Sequence, residues 1–296
     1  MIKGILKKIY YRVRASTPVW NALNAKSRKE FISFESSLTG VSRRIADDLT
    51  HDGIAISNLE ELGAPSLEAF RRFVAERSAM AASTTKKTFL RELIDLRPLY
   101  NPSEPIWGFA LHPSVVGAVD LYFGLVARFY YLYAAVAGVM PDGEEAKQSQ
   151  RWHRDPEDRQ MCKVFVYLTD VDAGSGPFIY AKESHRMGAY SHVSPQKPPA
   201  GSYPPEGLVE ASIPAEKIMT CYGKAGTVIF ADTAGLHRGG YCTERERIMV
   251  TAGYVSDASP WPTRYALPPG FDPSSVEPPV RAALASRKRS WDSAGY

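Results

Sequence analysis

From Arg128 onward the chain breaks into short β-like runs separated by clusters of Gly, Pro, Asp and Ser. The runs are Phe129–Ala137, Met161–Leu168, Pro177–Tyr180, Thr227–Phe230 and Ile248–Tyr254. They are rich in Val, Ile, Tyr and Phe, which suit a pleated, half-buried surface. Repeated short strands with turn signals between them predict a β-sandwich or jelly roll. The preceding half reads differently. Residues 26–48 carry a helical pattern, Ser66–Ala81 reads as a helix with Ser66 as N-cap, and Pro113–Leu125 as another. His51–Leu59 reads as a Gly-marked turn followed by a short alternating strand. The expected class is therefore mainly β with α: helices first, then a β-rich core, with no internal repeat.

Length sets the scale: 296 residues make one large domain or two small ones. An apolar share of 44% and a charged share of 23% exclude wholesale disorder and collagen-like or disulfide-scaffold chains. Charge is uneven. Residues 1–44 hold ten Lys or Arg and two Glu, a net +8. The remainder has 26 basic and 30 acidic residues, a net −4. Within the basic head, Ile2, Ile5, Leu6, Ile9 and Val13 recur at helical spacing among Lys3, Lys7, Lys8, Arg12 and Arg14. Residues 1–15 thus read as a basic amphipathic helix, either docking on an anionic membrane or partner, or packed on its own domain. No nucleic-acid partner is expected.

Cys162, Cys221 and Cys242 match no zinc pattern and cannot all pair, so a reducing, cytoplasmic location is the simplest expectation. Residues 1–11 lack a continuous apolar run, so no signal peptide is expected. Leu121–Met140 is apolar except for Arg128. A central Arg is costly in a bilayer, and the Tyr- and Phe-rich half suits a strand better than a span. Gly124 marks the expected helix end. Residues 194–216 form a Pro-rich insertion, read as a lid or loop over a site. The tail from Pro268, with Arg287-Lys288-Arg289 near its end, reads as mobile.

The chemistry concentrates in Arg151-Trp152-His153-Arg154-Asp155-Pro156. On extended backbone, His153 and Asp155 share one face about 7 Å apart, with heads able to converge. An imidazole and a carboxylate so placed are two ligands for a divalent metal. Alone, the triplet is weak. His237 strengthens it, standing just beyond the Gly226-led strand and opening a Gly-rich turn. Ten residues later Arg247 begins an apolar strand, where it can point inward and form a forked pair with a carboxylate. Two His, one Asp and an inward Arg fit a 2-His-1-carboxylate iron site with a co-substrate anchor. The string His153-Arg154-Asp155 is not a kinase catalytic loop: residue 160 is Gln, and neither D-F-G nor a phosphate loop accompanies it.

The order of these elements resembles the phytanoyl-CoA dioxygenase family, a branch of the iron(II)/2-oxoglutarate oxygenases. It comprises H-x-D, the segment Asp170-Val171-Asp172-Ala173-Gly174-Ser175-Gly176-Pro177-Phe178, then Glu183-Ser184-His185-Arg186, then a distal His with an Arg ten residues on. His51-Asp52-Gly53-Ile54 is similar to the family's opening strand, and the likeness spans roughly 46–255. The resemblance implies a double-stranded β-helix (jelly-roll or cupin-like) core, with N-terminal helices packed on it. It implies a helical extension over 1–45, an oxygenase domain over 46–266 with a lid-like insertion around 190–216, and a tail over 267–296. It carries Fe(II) ligation to His153, Asp155 and His237, and the 2-oxoglutarate anchor to Arg247. O2 is the other co-substrate. The products are succinate, CO2 and an oxidised substrate.

One departure is Gly239, where the family often has Ser. Arg245 lies two residues before Arg247 and is the alternative anchor. Phe165 and Tyr167 are candidates for the co-substrate pocket wall, and Trp152 for core or pocket wall. His185 reads as a structural turn residue, and Glu157 and Asp158 as solvated or paired with Arg154 and Arg159. Since Asp155 is a carboxylate, hydroxylation is favoured over halogenation; desaturation, epimerisation and ring formation stay open. The substrate class stays open too, between a small metabolite and a lipid-linked or glycolipid molecule. Two other functions compete: a non-redox cupin-like metal-binding protein and a membrane-recruited binding module. Oligomeric state is not legible.

Overall fold

All five β-like runs are strands in the computed structural model, which describes residues 2–35, 38, 40–80, 90–141, 143–145 and 147–284. They are β3 (Arg128–Ala137), β4 (Met161–Tyr167), β5 (Phe178–Ala181), β7 (Thr227–Ala231) and β9 (Arg247–Val255). β1 (Ile54–Asn58) follows the Gly53 turn. The sequence pattern did not reveal β2 (Leu90–Glu92), β6 (Ile218–Cys221) or β8 (His237–Gly239). The helices are α1 (Ile2–Ala15), α2 (Thr17–Leu23), α3 (Ala25–Ile32), α4 (Gly40–Asp52), α5 (Leu59–Leu62), α6 (Leu67–Met80), α7 (Pro105–Ala110), α8 (Pro113–Phe123), α9 (Leu208–Ser212) and α10 (Pro278–Leu284).

Local chemistry sets several of these ends. Ser66 caps α6 by accepting from the Ala69 N–H. His112 caps α8, with Pro113 at its first position and left-handed Gly124 at its end. The single helix expected over 26–48 is two. Ser33 donates both its N–H and its hydroxyl to the Glu30 carbonyl, which closes α3 before α4 begins.

Two antiparallel sheets result. The larger runs β1-β7-β4-β9-β3-β2 and the smaller β6-β5-β8. Alternation splits the larger sheet into two faces. Val136, Val164, Val166, Val228, Phe230 and Val250 point to a single apolar cluster shared with α4, α6, α7 and α8. The opposite face reads off the register in rows. Tyr131, Gly253, Lys163 and Ala231 form one row; Tyr133, Thr251, Phe165 and Ile229 the next; Ala135, Met249 and Tyr167 a third; Ala137 and Arg247 the last. This face packs on the smaller sheet through Phe165, Tyr167, Phe178 and Tyr180.

Terminal segments join the same core. Trp20 of α2 is buried there, and α4 runs through residue 45 with Ile45, Ala46 and Leu49 inward. The tail departs from the mobile expectation up to residue 284. Ala283 and Leu284 of α10 are buried, and the Tyr265 hydroxyl donates to the Leu284 carbonyl. Arg287-Lys288-Arg289 lies outside the described residues. Leu121–Met140 is the end of α8, the Gly124 turn and β3, with the Arg128 guanidinium bonded to the Trp261 carbonyl. By length and composition the stretch Pro105–Phe123 could cross a membrane, yet it is broken into α7 and α8 and mostly buried in the fold.

Candidate metal centre

His153, Asp155 and His237 meet at one end of the sandwich. His153 and His237 exchange backbone hydrogen bonds, and the Asp155 N–H donates to the Thr233 carbonyl. The three side chains are buried, and one potential ligand atom from each lies within 4.8 Å of the others. His153 Nε2 is 3.8 Å from Asp155 Oδ1, and His237 Nε2 is 3.4 Å from Asp155 Oδ2. His153 Nδ1 sits 2.8 Å from the Arg151 carbonyl, and His237 Nδ1 3.0 Å from that of Gly235. A carbonyl accepts only from N–H, so both Nδ1 atoms carry the proton and both Nε2 lone pairs face the centre. Burial, reinforced by His237, pushes His153 down to about 3, so it stays neutral in mild acid. These three residues could hold a divalent cation of borderline hardness.

Asp155 has a partner that sequence reasoning missed. Lys163 Nζ donates to Asp155 Oδ2 at 2.6 Å, and both groups are buried. Burial alone would raise the carboxyl, but the Lys163 ammonium beside it holds it well below its usual range. The clue was a lysine inside the apolar run Met161–Tyr167. The Lys163 ammonium also lies 5.6 Å from the Tyr131 ring centre. That ring lies across Gly253, where any Cβ would collide with it.

Between the two ligands, Arg154 faces away from the centre. Its guanidinium donates to the carbonyls of Ser184 (2.6 Å), Ala234 (2.7 Å), Val193 (2.9 Å) and Ser194 (2.9 Å). The expected Arg154 pairing with Glu157 or Asp158 is thus replaced by carbonyl anchoring, and neither acid is solvated. Asp158 is buried and accepts from Trp20 Nε1, the Arg159 N–H and the N–H and hydroxyl of Ser256. Glu157 accepts from the Tyr130 hydroxyl, and burial together with the Asp155 charge raises its carboxyl. The long insertion closes one side. Tyr203 stacks on His153 at 5.6 Å and 19°, and the Gln196 amide donates to the Asp155 and Asp158 carbonyls.

A cavity of about 640 Å³ opens beside the triad. Arg247 lines it at the last row of the sheet. Its guanidinium is buried, and Nε and Nη1 have no hydrogen-bond partner. Arg245 instead lies at the surface in an ion pair with Asp172. Phe165 lines the cavity, whereas Tyr167 stands behind it. The Tyr167 hydroxyl donates to the Cys221 carbonyl and accepts from the Phe178 N–H. A Cβ at Gly239 would meet only the Ser149 carbonyl and Arg247 Nη2, at 3.7 and 4.0 Å, so Ser would fit there and is simply not present. His185 lies away from the triad, its Nε2 3.2 Å from the Thr50 carbonyl. Trp152 packs in a separate cluster and donates to Glu210.

No protein-family model matches the chain, and no curated protein sequence does. Solved structures do. The non-heme alpha ketoglutarate dependent epimerase SnoN from nogalamycin biosynthesis matches with a TM-score of 0.51 at 17% identity, covering 73% of this chain and 83% of that one. SnoN in complex with Fe3+, alpha ketoglutarate and nogalamycin RO also gives 0.51, at 16% identity over the same shares. AviO1 from Streptomyces viridochromogenes Tue57 gives 0.50 at 16% identity, covering 75% of this chain and 97% of that one. At such identities the likeness shows a shared fold, one used by non-heme iron, 2-oxoglutarate-dependent enzymes.

Proposed function

We propose that this chain is an Fe(II)- and 2-oxoglutarate-dependent dioxygenase of the phytanoyl-CoA dioxygenase-like group, built on a double-stranded β-helix. It hydroxylates an unactivated C–H bond of a small metabolite or lipid-linked substrate. The observation that carries this reading is Arg247: a buried guanidinium whose Nε and Nη1 have no hydrogen-bond partner, in the same cavity as a His-Asp-His triad. An unpaired buried cation is costly, so a site that keeps one is built for an anion. A non-redox metal protein has no use for it. SnoN, which shares the fold, was solved with Fe3+ and alpha ketoglutarate.

When bound, iron and 2-oxoglutarate supply the oxidising power: O2, the co-substrate and R–H become succinate, CO2 and R–OH. The chain's own residues do the rest. His153 and His237 offer neutral Nε2 donors, and Asp155 offers one oxygen while Lys163 holds the other. These three side chains would hold the metal, and a 2-His-1-carboxylate set of this kind would leave room on it for co-substrates. Arg247 takes the far carboxylate of 2-oxoglutarate in a charge-assisted pair. Phe165, Phe178 and Met249 wall the cavity with apolar surface and exclude water. Tyr203 covers His153 from the insertion.

Anaerobic addition of Fe(II) and 2-oxoglutarate tests this directly. The expected result is a visible charge-transfer band, absent in Asp155→Ala. No band, with no succinate formed in air, would sink the reading. Peripheral membrane contact rests on a separate observation. On α1, Ile5, Leu6, Ile9 and Val13 are 53, 59, 52 and 49% exposed, on a helix that also carries Lys8, Arg12 and Arg14. Sedimentation with anionic but not neutral vesicles, lost in Ile5→Glu/Ile9→Glu, is expected; equal sedimentation of that variant overturns it.

A further inference from the structure

The cavity has two ends, and the co-substrate of the proposed reaction takes only one. Arg247 marks the co-substrate end. Six residues along β9, about 20 Å of strand, lies the row of Gly253, Lys163 and Tyr131. Beyond it, Glu157 and Trp261 line the same cavity. Each carries a buried polar atom with no hydrogen-bond partner, Glu157 Oε2 and Trp261 Nε1. Ser259 ties their backbones together: its hydroxyl donates to the Glu157 backbone carbonyl at 2.7 Å and accepts from the Trp261 backbone N–H at 3.2 Å. The Tyr130 hydroxyl holds the other carboxylate oxygen. The Arg128 guanidinium holds the Trp261 carbonyl.

Buried acceptors and donors without partners are rare, because each forfeits its hydration and receives nothing in return. Here an acceptor and a donor stand unpaired on one braced platform. Neither is a metal ligand, and neither is near Arg247. An apolar chain laid over them would leave both unsatisfied. A hydroxyl satisfies both kinds of site at once, since it donates to a carboxylate and accepts from an indole N–H. The Tyr131 ring lines the same end of the cavity, with the Lys163 ammonium 5.6 Å and the Arg264 guanidinium 6.0 Å from its centre.

We propose that Glu157 and Trp261 form the substrate-recognition subsite, and that it takes a polyhydroxylated ring of the sugar or cyclitol class rather than an acyl chain. The proposal rests on the oxygenase reading, because it assigns this end of the cavity to the substrate of that reaction. The test uses full-length protein loaded with Zn(II) and 2-oxoglutarate, and saturation-transfer NMR with myo-inositol, methyl glucoside and decanoate as probes. A ring probe should bind wild type and lose about tenfold or more in affinity in Glu157→Gln and in Trp261→Phe, which keeps most of the ring but not the N–H. Decanoate should not compete. Binding of decanoate in place of the rings overturns the proposal. So does failure of both ring probes to bind, or equal ring binding by wild type and both variants. Metal and 2-oxoglutarate loading, measured on the same samples, reports on the oxygenase reading independently. Their failure to load would refute that reading, whatever the ring probes do.

Discussion

The two faces of the six-stranded sheet come from the same strands and do opposite things. Along β4, Cys162, Val164 and Val166 enter the apolar cluster under the helices, while Lys163, Phe165 and Tyr167 turn to the smaller sheet. The first face is apolar, with members running from Ala134 and Ala252 to Phe230 and Tyr254. The second places a lysine, a threonine and an arginine at set rows of one register. Stability resides mainly on one side and chemistry on the other, with a one-residue offset between them.

The sharpest way to break this contrast is Val164→Asp. It buries an unpaired carboxylate on the helix-facing side and should cost about 4 kcal/mol or more, read as loss of the cooperative melt. Arg247→Met, on the cavity face, should leave the melting temperature unchanged or raised. It should weaken 2-oxoglutarate about 100-fold by calorimetry, as expected for a charged, forked pair. A clear loss of stability in that variant would mean that Arg247 has a structural role.

A pH titration of the metal-free protein sharpens the comparison further. His153 is depressed to about 3 by burial, from 6.5. Its contribution to stability is complete above pH 6.5 and lost as pH falls toward 3, because the unfolded chain takes up the proton first. Asp155, also depressed, adds a loss in the same direction at lower pH. His153→Asn should flatten the upper part of that slope, whereas Val164→Ala should lower the melt evenly at all pH values. The smallest effect is expected from Gly253→Ala. Its methyl group would displace the Tyr131 ring, costing about 1–3 kcal/mol and altering the near-ultraviolet circular dichroism of the cavity.

Much of this division was legible in the sequence. Long runs such as Ile248–Tyr254 announce their strands because a largely apolar stretch persists over seven residues, and His153, Asp155, His237 and Arg247 stand outside or at the edges of such runs. β2 and β8 were not legible, since three residues carry no period; their pairing partners supply the structure. Lys163 was visible as a charge in an apolar run, but its partner is set by where residue 155 crosses the sheet. Glu157 and Asp158 looked like surface acids because the groups that bury and bond them, Tyr130 at one Glu157 oxygen and Trp20 and Ser256 at Asp158, lie far away in sequence. Tyr167 sits one layer behind the cavity for a similar reason. Its strand position allows the wall, but Cys221 and Phe178 claim its hydroxyl.

Arg154 bears on how such a protein can change. It sits between two metal-binding side chains and gathers the carbonyls of Ser184, Val193, Ser194 and Ala234 around one guanidinium. The segment from Ser184 to Ser194 is therefore not a detachable cassette. A replacement loop, whether arising by recombination or by grafting, has to present backbone oxygens at the same points or disturb the segment that carries His153 and Asp155. The constraint runs on to Ser202, whose backbone pairs with Arg154, and to Tyr203, stacked on His153, so a transplanted loop has to carry Ser184–Tyr203 as one piece.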